Sequence, residues 1–299
     1  MAIELNDPLA ASLPVSRRGF VALGAGAAFA IANGAAAGAQ TVGFGGPHPP
    51  IVAADDPTIA AAHINLIPSA GGPIGAYTAM PRTIVPGTPG VVVVQQIWGV
   101  DAQLRDVVRR FAKAGYIAIA PALFDREHPP STDTPTDFTV FAPIATKMNA
   151  DGFVPTDLAA ARGWIRGNAS RSAIGIIGFC MGGGITLQSV VGTDDYKAAS
   201  MMYGSVRVGT DPKAPTTAST FAFADKITTP LLGSFGARDT SIKAEDVEAL
   251  FSRLNAPHAV KIYDEAGHAF FDDTRERYIP SAAADAWTRT LAWFAKYLV

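Results

Sequence analysis

One cysteine occurs in 299 residues, and its neighbours are those a nucleophile needs. Cys180 lies in Gly178-Phe179-Cys180-Met181-Gly182-Gly183. The run before it, Ala173-Ile174-Gly175-Ile176-Ile177, reads as a short buried strand, and Met181 to Val191 reads as a helix entered through small residues. A Gly-x-Cys-x-Gly at a strand-to-helix junction is the thiol form of a nucleophile elbow, whose glycines permit a sharp turn and keep neighbouring backbone clear of the side chain. At a helix N-terminus the dipole and the free N–H groups favour a thiolate. The same run also fits a buried structural cysteine. Cys180 alone does not separate the two.

A thiol nucleophile needs a base for its proton, and the base needs a third group to fix its tautomer. Where the nucleophile sits on such an elbow, the chain order is nucleophile, acid, histidine. Two histidines follow Cys180. His258 stands at the entrance to an apolar run, and His268 just past one, in Glu265-Ala266-Gly267-His268-Ala269-Phe270, where Gly267 is expected to permit a tight turn. Ligands of parallel sheets bind beyond the carboxyl ends of the strands, which favours His268. Asp239, in Gly236-Ala237-Arg238-Asp239, follows one strand and precedes a helix. It suits the acid, although an aspartate there also suits a helix cap. Asp264 and Glu265 are rivals that adjoin His268 too closely to point back at its ring. An oxyanion hole needs two N–H groups. Met181 at the elbow supplies one, and Ile97, in the loop Gln96-Ile97-Trp98-Gly99 after an early strand, is assigned the other.

These groups must be held by elements, and the apolar pattern describes them. His63 to Pro68 and Ile74 to Met80 flank Ser69-Ala70-Gly71-Gly72-Pro73, a hairpin signal. Val91 to Val94, Tyr116 to Ala120, the run before Cys180, Ala198 to Tyr203, Pro230 to Phe235 and Val260 to Tyr263 read as strands. Helical spacing occupies Gln103 to Ala114, Thr156 to Arg166, Ala244 to Leu254 and Ala282 to Tyr297. The segment between Pro121 and Thr156 is looser. Continuous apolar strands alternating with helices predict one α/β domain, with a mostly parallel central sheet covered on both faces.

The first forty residues do not fit that pattern. Ser16-Arg17-Arg18-Gly19-Phe20 precedes an Ala/Gly-rich apolar stretch ending in Ala37-Gly38-Ala39. That layout predicts a twin-arginine-type signal peptide over 1–39, recognition by the twin-arginine translocation machinery, and a periplasmic or secreted product. Gly24, Gly26, Asn33 and Gly34 make the stretch too weak for a membrane span. Residues 40–57 read as a Gly/Pro-rich linker or arm, and 58–299 as the domain. A formal net charge of −2 leaves no electrostatic footprint for nucleic acid. One cysteine cannot form an internal disulfide, so stability must come from the core.

The chain resembles the dienelactone hydrolase family. The matching pieces are Val91 to Val100, Gly115-Tyr116 through Pro121-Ala122-Leu123-Phe124, Gly175 to Gly183, Asp239, and Gly267-His268-Ala269-Phe270. They span most of residues 58–299 in the family's order. The resemblance implies an α/β-hydrolase fold, a Cys180–His268–Asp239 triad, no metal or other cofactor, and hydrolysis of a small ester or lactone through an acyl-thiol intermediate. It also marks two departures. The family's type member has a glutamate at the position of Gln96, which helps activate the thiol; glutamine cannot exchange a proton at neutral pH. The type member holds its substrate's carboxylate with two arginines. Arg126 aligns with the first, and Asp272 stands in place of the second, where it would repel an anionic ligand. Gln96 and Arg126 are therefore expected at the site as activation or substrate contacts, with Trp98, Phe124, Met181, Phe270 and Phe271 near its mouth. Gln96 also motivates a different class of function, a small-molecule binding protein that kept the fold and lost the chemistry. A redox-responsive thiol is disfavoured, because no resolving cysteine is present.

Overall fold

The computed structural model describes residues 3–5, 49–130, 137–209, 216–217 and 219–299. Among these residues nine strands form one sheet: β1 (Ile3–Leu5), β2 (Ile59–Leu66), β3 (Ile74–Pro81), β4 (Gly90–Val94), β5 (Ile117–Pro121), β6 (Ile174–Phe179), β7 (Ala198–Met202), β8 (Leu231–Gly236) and β9 (His258–Tyr263). Their order is β1-β9-β8-β7-β6-β4-β5-β3-β2. From β9 through to β5 every pairing is parallel. The two edges are antiparallel, with β2 and β3 forming the expected hairpin and β1 lying along β9. Ile3–Leu5 belongs to the stretch read as a signal peptide; the rest of that stretch lies outside the described residues. Loss of residues 1–39 would leave the outer edge of β9 uncovered.

Strands β4, β5, β6, β7 and β8 are buried along their whole length. That is what the unbroken apolar runs require, because helices cover both faces. The two-residue repeat of a strand sends Val91 and Val93 to one face and Val92 and Val94 to the other. On the first face lie α1 (Ala102–Lys113) and α6 (Pro280–Tyr297), whose Val107, Phe111, Trp293 and Phe294 are fully buried. On the second lie α2 (Phe138–Asp151), α3 (Val154–Asn168), α4 (Met181–Ser189) and α5 (Ala244–Phe251).

The looser stretch after Pro121 contains α2. Pro143 inside this helix removes one backbone donor and obscures its pattern, yet Asp137 caps it by accepting from Thr139 N–H at 2.9 Å. Residues Ile51 and Val52 of the N-terminal arm donate their N–H groups to the Asp106 carboxylate on α1, at 3.0 and 2.8 Å. Among the described residues no helix is long and apolar enough to cross a membrane.

Candidate active site

The strand β6 ends at Phe179 and α4 begins at Met181, so a single residue makes the turn. That residue is Cys180, at φ 53° and ψ −115°. A side chain in this region is strained, and such strain persists only where surrounding contacts enforce it. The enforcing contacts are tight. A Cβ on Gly178 would fall 2.0 Å from Gly182 O, and one on Gly182 would fall 2.4 Å from Val94 O and 2.5 Å from Gln95 O. The glycines therefore fold the elbow onto itself and press the start of α4 against the end of β4. Cys180 N–H donates to Met202 O at 3.0 Å, which ties the elbow to β7.

Asp239 and His268 reach the thiol from adjacent loops. Ala237 N–H donates to Tyr263 O and Arg238 N–H to Ala266 O, both at 2.9 Å. A Cβ on Gly236 would lie 2.4 Å from Ala266 O, so the two loops are in backbone contact. His268 Nε2 is 3.0 Å from Cys180 Sγ, and His268 Nδ1 is 2.7 Å from Asp239 Oδ2. The other oxygen of Asp239 accepts from Ser241 N–H at 2.8 Å and Ile242 N–H at 3.1 Å, which aims the carboxylate. Tyr203 packs edge-on to the imidazole, 5.4 Å between ring centres. The left-handed residue of the histidine loop is Ala269, at φ 64°, and not Gly267, whose φ is not positive. His258 lies at the start of β9, its ring against Ala256 O. Of the rivals, Asp264 engages Arg238 through its backbone oxygen and Glu265 faces Ser281; the carboxylate on His268 Nδ1 is that of Asp239.

Burial works against charge on His268, but its bonds to Asp239 and Cys180 outweigh that cost and raise its pKa to about 10. Burial likewise opposes charge on Asp239, yet the His268 bond and the two N–H groups bring its pKa below the ordinary carboxylate value. The ring thus holds a proton between sulfur and carboxylate at neutral pH.

Met181, expected as one of two oxyanion donors, is the first residue of α4, so its N–H has no acceptor within the helix. Ile97 lies in a turn closed by Gly99 N–H donating to Gln96 O at 3.1 Å. This turn leaves the end of β4 beside the elbow, on the same side of the sheet as Met181.

Gln96 is buried and its amide nitrogen faces two carboxylates, Asp272 Oδ2 at 2.9 Å and Asp101 Oδ2 at 3.4 Å. Sequence reasoning placed Gln96 here but missed Asp101, whose spacing before α1 signals only a cap. Burial and the charge of Asp272, opposed by Leu104 N–H, Arg275 and Arg105, push Asp101 up to about 7. Asp272 is 0% exposed and so does not face a ligand as a bare repelling charge. Its Oδ1 accepts from Thr274 Oγ1 at 2.6 Å, and its Oδ2 lies 3.3 Å from Arg275 Nε. The Arg275 guanidinium stacks 4.2 Å over Trp98.

Arg126 departs from the expectation of a substrate contact. Its guanidinium makes a two-pronged bond to Asp157, both arms at 2.8 Å, donates to Gly71 O and Gly72 O, and covers the Phe153 ring. The planar fork fits a buried carboxylate well, and it clamps the β2–β3 hairpin to α3. Of the expected mouth aromatics, Phe124, Phe270 and Phe271 are core residues. Trp98 is half-buried and packs against Phe138, which is 57% exposed, and Phe141. Among the described residues no group of three His, Cys, Asp or Glu side chains is placed to hold a metal ion.

The sequence model of the dienelactone hydrolase family matches residues 74–298. The chain is 38% identical over 245 residues to "Putative carboxymethylenebutenolidase" of Salmonella typhimurium, covering 79% of this chain and 87% of that one. It is 34% identical over 294 residues to a protein of the same name from Methylorubrum extorquens, covering 97% and 96%. The crystal structure titled "Putative Dienelactone Hydrolase" from Klebsiella pneumoniae superposes with a TM-score of 0.69 at 35% identity, over 80% of this chain and 99% of that one. With an α/β-hydrolase sheet, an elbow at Cys180 and these relatives, the chain belongs to the dienelactone hydrolase family and is a carboxylic ester hydrolase.

Proposed function

We propose that the protein hydrolyses a small carboxylic ester or lactone through an acyl-Cys180 intermediate. The observation that carries this reading is the unbroken line from Cys180 Sγ through His268 to Asp239, at 3.0 and 2.7 Å. With the proton held on His268, sulfur attacks the substrate carbonyl as a thiolate. The carbonyl oxygen takes the negative charge, and the N–H groups of Ile97 and Met181 stabilise it. Collapse breaks the bond to the alkoxy oxygen, which leaves with the proton from His268 Nε2. The neutral ring then removes a proton from water as the water attacks the thioester. Collapse of that second adduct releases the carboxylic acid and regenerates the thiolate–imidazolium pair. Asp239 keeps Nδ1 protonated and Nε2 aimed at sulfur throughout. The complete line supports hydrolysis over a purely ligand-binding role.

The test is turnover of short p-nitrophenyl esters by Cys180→Ala. The expected result is a fall of at least ~10³-fold in a protein that stays folded. Retained turnover would overturn the acyl-thiol reading. We propose in addition that residues 1–39 direct export by the twin-arginine route, on the strength of Arg17-Arg18 and the apolar stretch after them. Fusion of these residues to a folded reporter should carry it to the periplasm, and Arg17→Lys with Arg18→Lys should abolish transport. Periplasmic delivery unaffected by that double change would refute the route.

A further inference from the structure

Triad chemistry does not account for the polar cluster beneath the oxyanion turn. The Gln96 amide presents its nitrogen to Asp272 Oδ2 and Asp101 Oδ2, which accept from it. Three elements meet at that nitrogen. The oxyanion turn supplies Gln96 itself. The start of α1 supplies Asp101, whose Oδ1 also accepts from Leu104 N–H at 2.9 Å. The histidine loop supplies Asp272, whose N–H donates to Ala269 O at 3.1 Å within the turn that follows His268. Asp272 is itself braced by Thr274 N–H and Oγ1.

We infer that Asp272 is a positioning residue for the hydrolysis proposed above: through Gln96 it locks the oxyanion turn to the histidine loop, so that Ile97 N–H and His268 keep a fixed separation. The inference rests on the acyl-thiol reading. It reverses the expectation attached to residue 96. A glutamate there would set a third carboxylate against Asp101 and Asp272 and remove the donor that joins them. Gln96→Glu therefore lowers activity in this chain instead of restoring a missing activator.

A swapped pair tests this. In Gln96→Glu the lock is broken by repulsion, and in Asp272→Asn by competition between Gln96 and Thr274 for one remaining oxygen. In the double variant the introduced asparagine amide can donate to the new carboxylate, restoring the link with donor and acceptor exchanged and the same number of carboxylates. Each single change should lower kcat on p-nitrophenyl acetate by ~10-fold or more, as loss of donor alignment does, with KM changed less than ~3-fold. The double variant should recover to within ~3-fold of the original protein. Iodoacetamide alkylation of Cys180 uses no oxyanion hole, so its rate should stay within ~2-fold in all three. Thr274→Val, which leaves every charge in place, should give a smaller kcat loss of ~3-fold, again without an alkylation change, and it stands in should the charge swaps fail to fold. A kcat that rises in Gln96→Glu, an alkylation rate that falls with kcat, or a double variant no better than the singles would overturn the inference. Turnover surviving in Cys180→Ala would instead sink the underlying reaction, which is a separate result.

Discussion

Asp239 and Asp101 perform the same backbone task with opposite electrostatic results. Each is buried, and each uses Oδ1 to accept from the backbone at the start of a turn or helix, Asp239 from Ser241 and Ile242 and Asp101 from Leu104. They differ in what meets the second oxygen. Asp239 Oδ2 faces the His268 ring, and the cation there pulls its proton affinity down against the effect of burial. Asp101 Oδ2 faces a neutral amide with another carboxylate behind it, and burial together with Asp272 pushes its proton affinity up to about 7. A capping role, the reading available for any aspartate before a helix, therefore leaves the chemistry of the carboxylate undetermined. The partner of the second oxygen decides it.

The largest effect expected from this contrast is on the Asp239 side. Asp239→Asn retains an oxygen for Ser241 and Ile242 but turns an amide N–H toward His268, forcing the proton off Nδ1. kcat on aryl esters should fall ~10³- to 10⁴-fold with little loss of thermal stability. A drop below tenfold would mean that His268 keeps its tautomer without the carboxylate. A third aspartate sharpens the comparison through stability instead. Asp157 is 1% exposed and is paired directly with Arg126. Arg126→Gln strands that carboxylate and should cost about 3 kcal/mol in denaturant unfolding. KM for a neutral ester should not move, and a large rise in KM would make Arg126 a substrate contact after all.

The next effect depends on pH. Asp101 titrates at 3.8 when free and at about 7 in the fold. The folded state then holds a proton that the unfolded state has lost between these values, so stability falls as pH rises through that window. His268 goes from 6.5 to about 10, so its stabilising contribution is complete below 6.5 and is lost as pH rises through 10. The two slopes share a sign but occupy different windows. Asp101→Asn keeps the helix cap, since asparagine caps well, and removes only the lower slope. Relative to the original protein it should gain on the order of 4 kcal/mol at pH 8 and less than about 1 kcal/mol at pH 4. Equal shifts at both pH values would show that Asp101 is not the group responsible. His268→Gln should remove only the upper slope.

Much of this arrangement is legible in sequence where chain order and strand ends constrain it. Cys180, Asp239 and His268 follow the carboxyl ends of β6, β8 and β9, so apolar runs alone place them at one end of the sheet. Side-chain partnerships across long separations are not legible in that way. Arg126 follows a strand end like the others, yet it is consumed by Asp157, Gly71 and Gly72, which no local pattern connects to it. The Gln96–Asp272 bond spans 176 positions, and Asp101 reads only as a cap. The helix α2 was obscured by Pro143, although the cap at Asp137 was available as a signal. The sheet edge at β1 has no comparable sign, because a three-residue strand has too few positions to show alternation.

The smallest expected effects concern the loop that delivers His268. Gly267 looks like the turn residue, but a Cβ there would meet only Arg238 O, at 3.7 Å, and its φ is not positive. Gly267→Ala should therefore raise stability by about 0.5 kcal/mol by restricting the unfolded chain, with kcat unchanged. Ala269, at φ 64°, carries the strain. Ala269→Gly relieves about 1 kcal/mol of left-handed penalty and adds a nearly equal loss of unfolded-state restriction, so its net shift should stay within about 1 kcal/mol. Calorimetry on the pair distinguishes two ways of holding a histidine. If both changes are nearly silent, bonds from Asp239 and the neighbouring loop set the ring position and local backbone preference contributes little. If Gly267→Ala lowers kcat while Ala269→Gly does not, the loop needs its small residue beside His268, and the Asp239 side of the comparison depends on backbone as much as on charge.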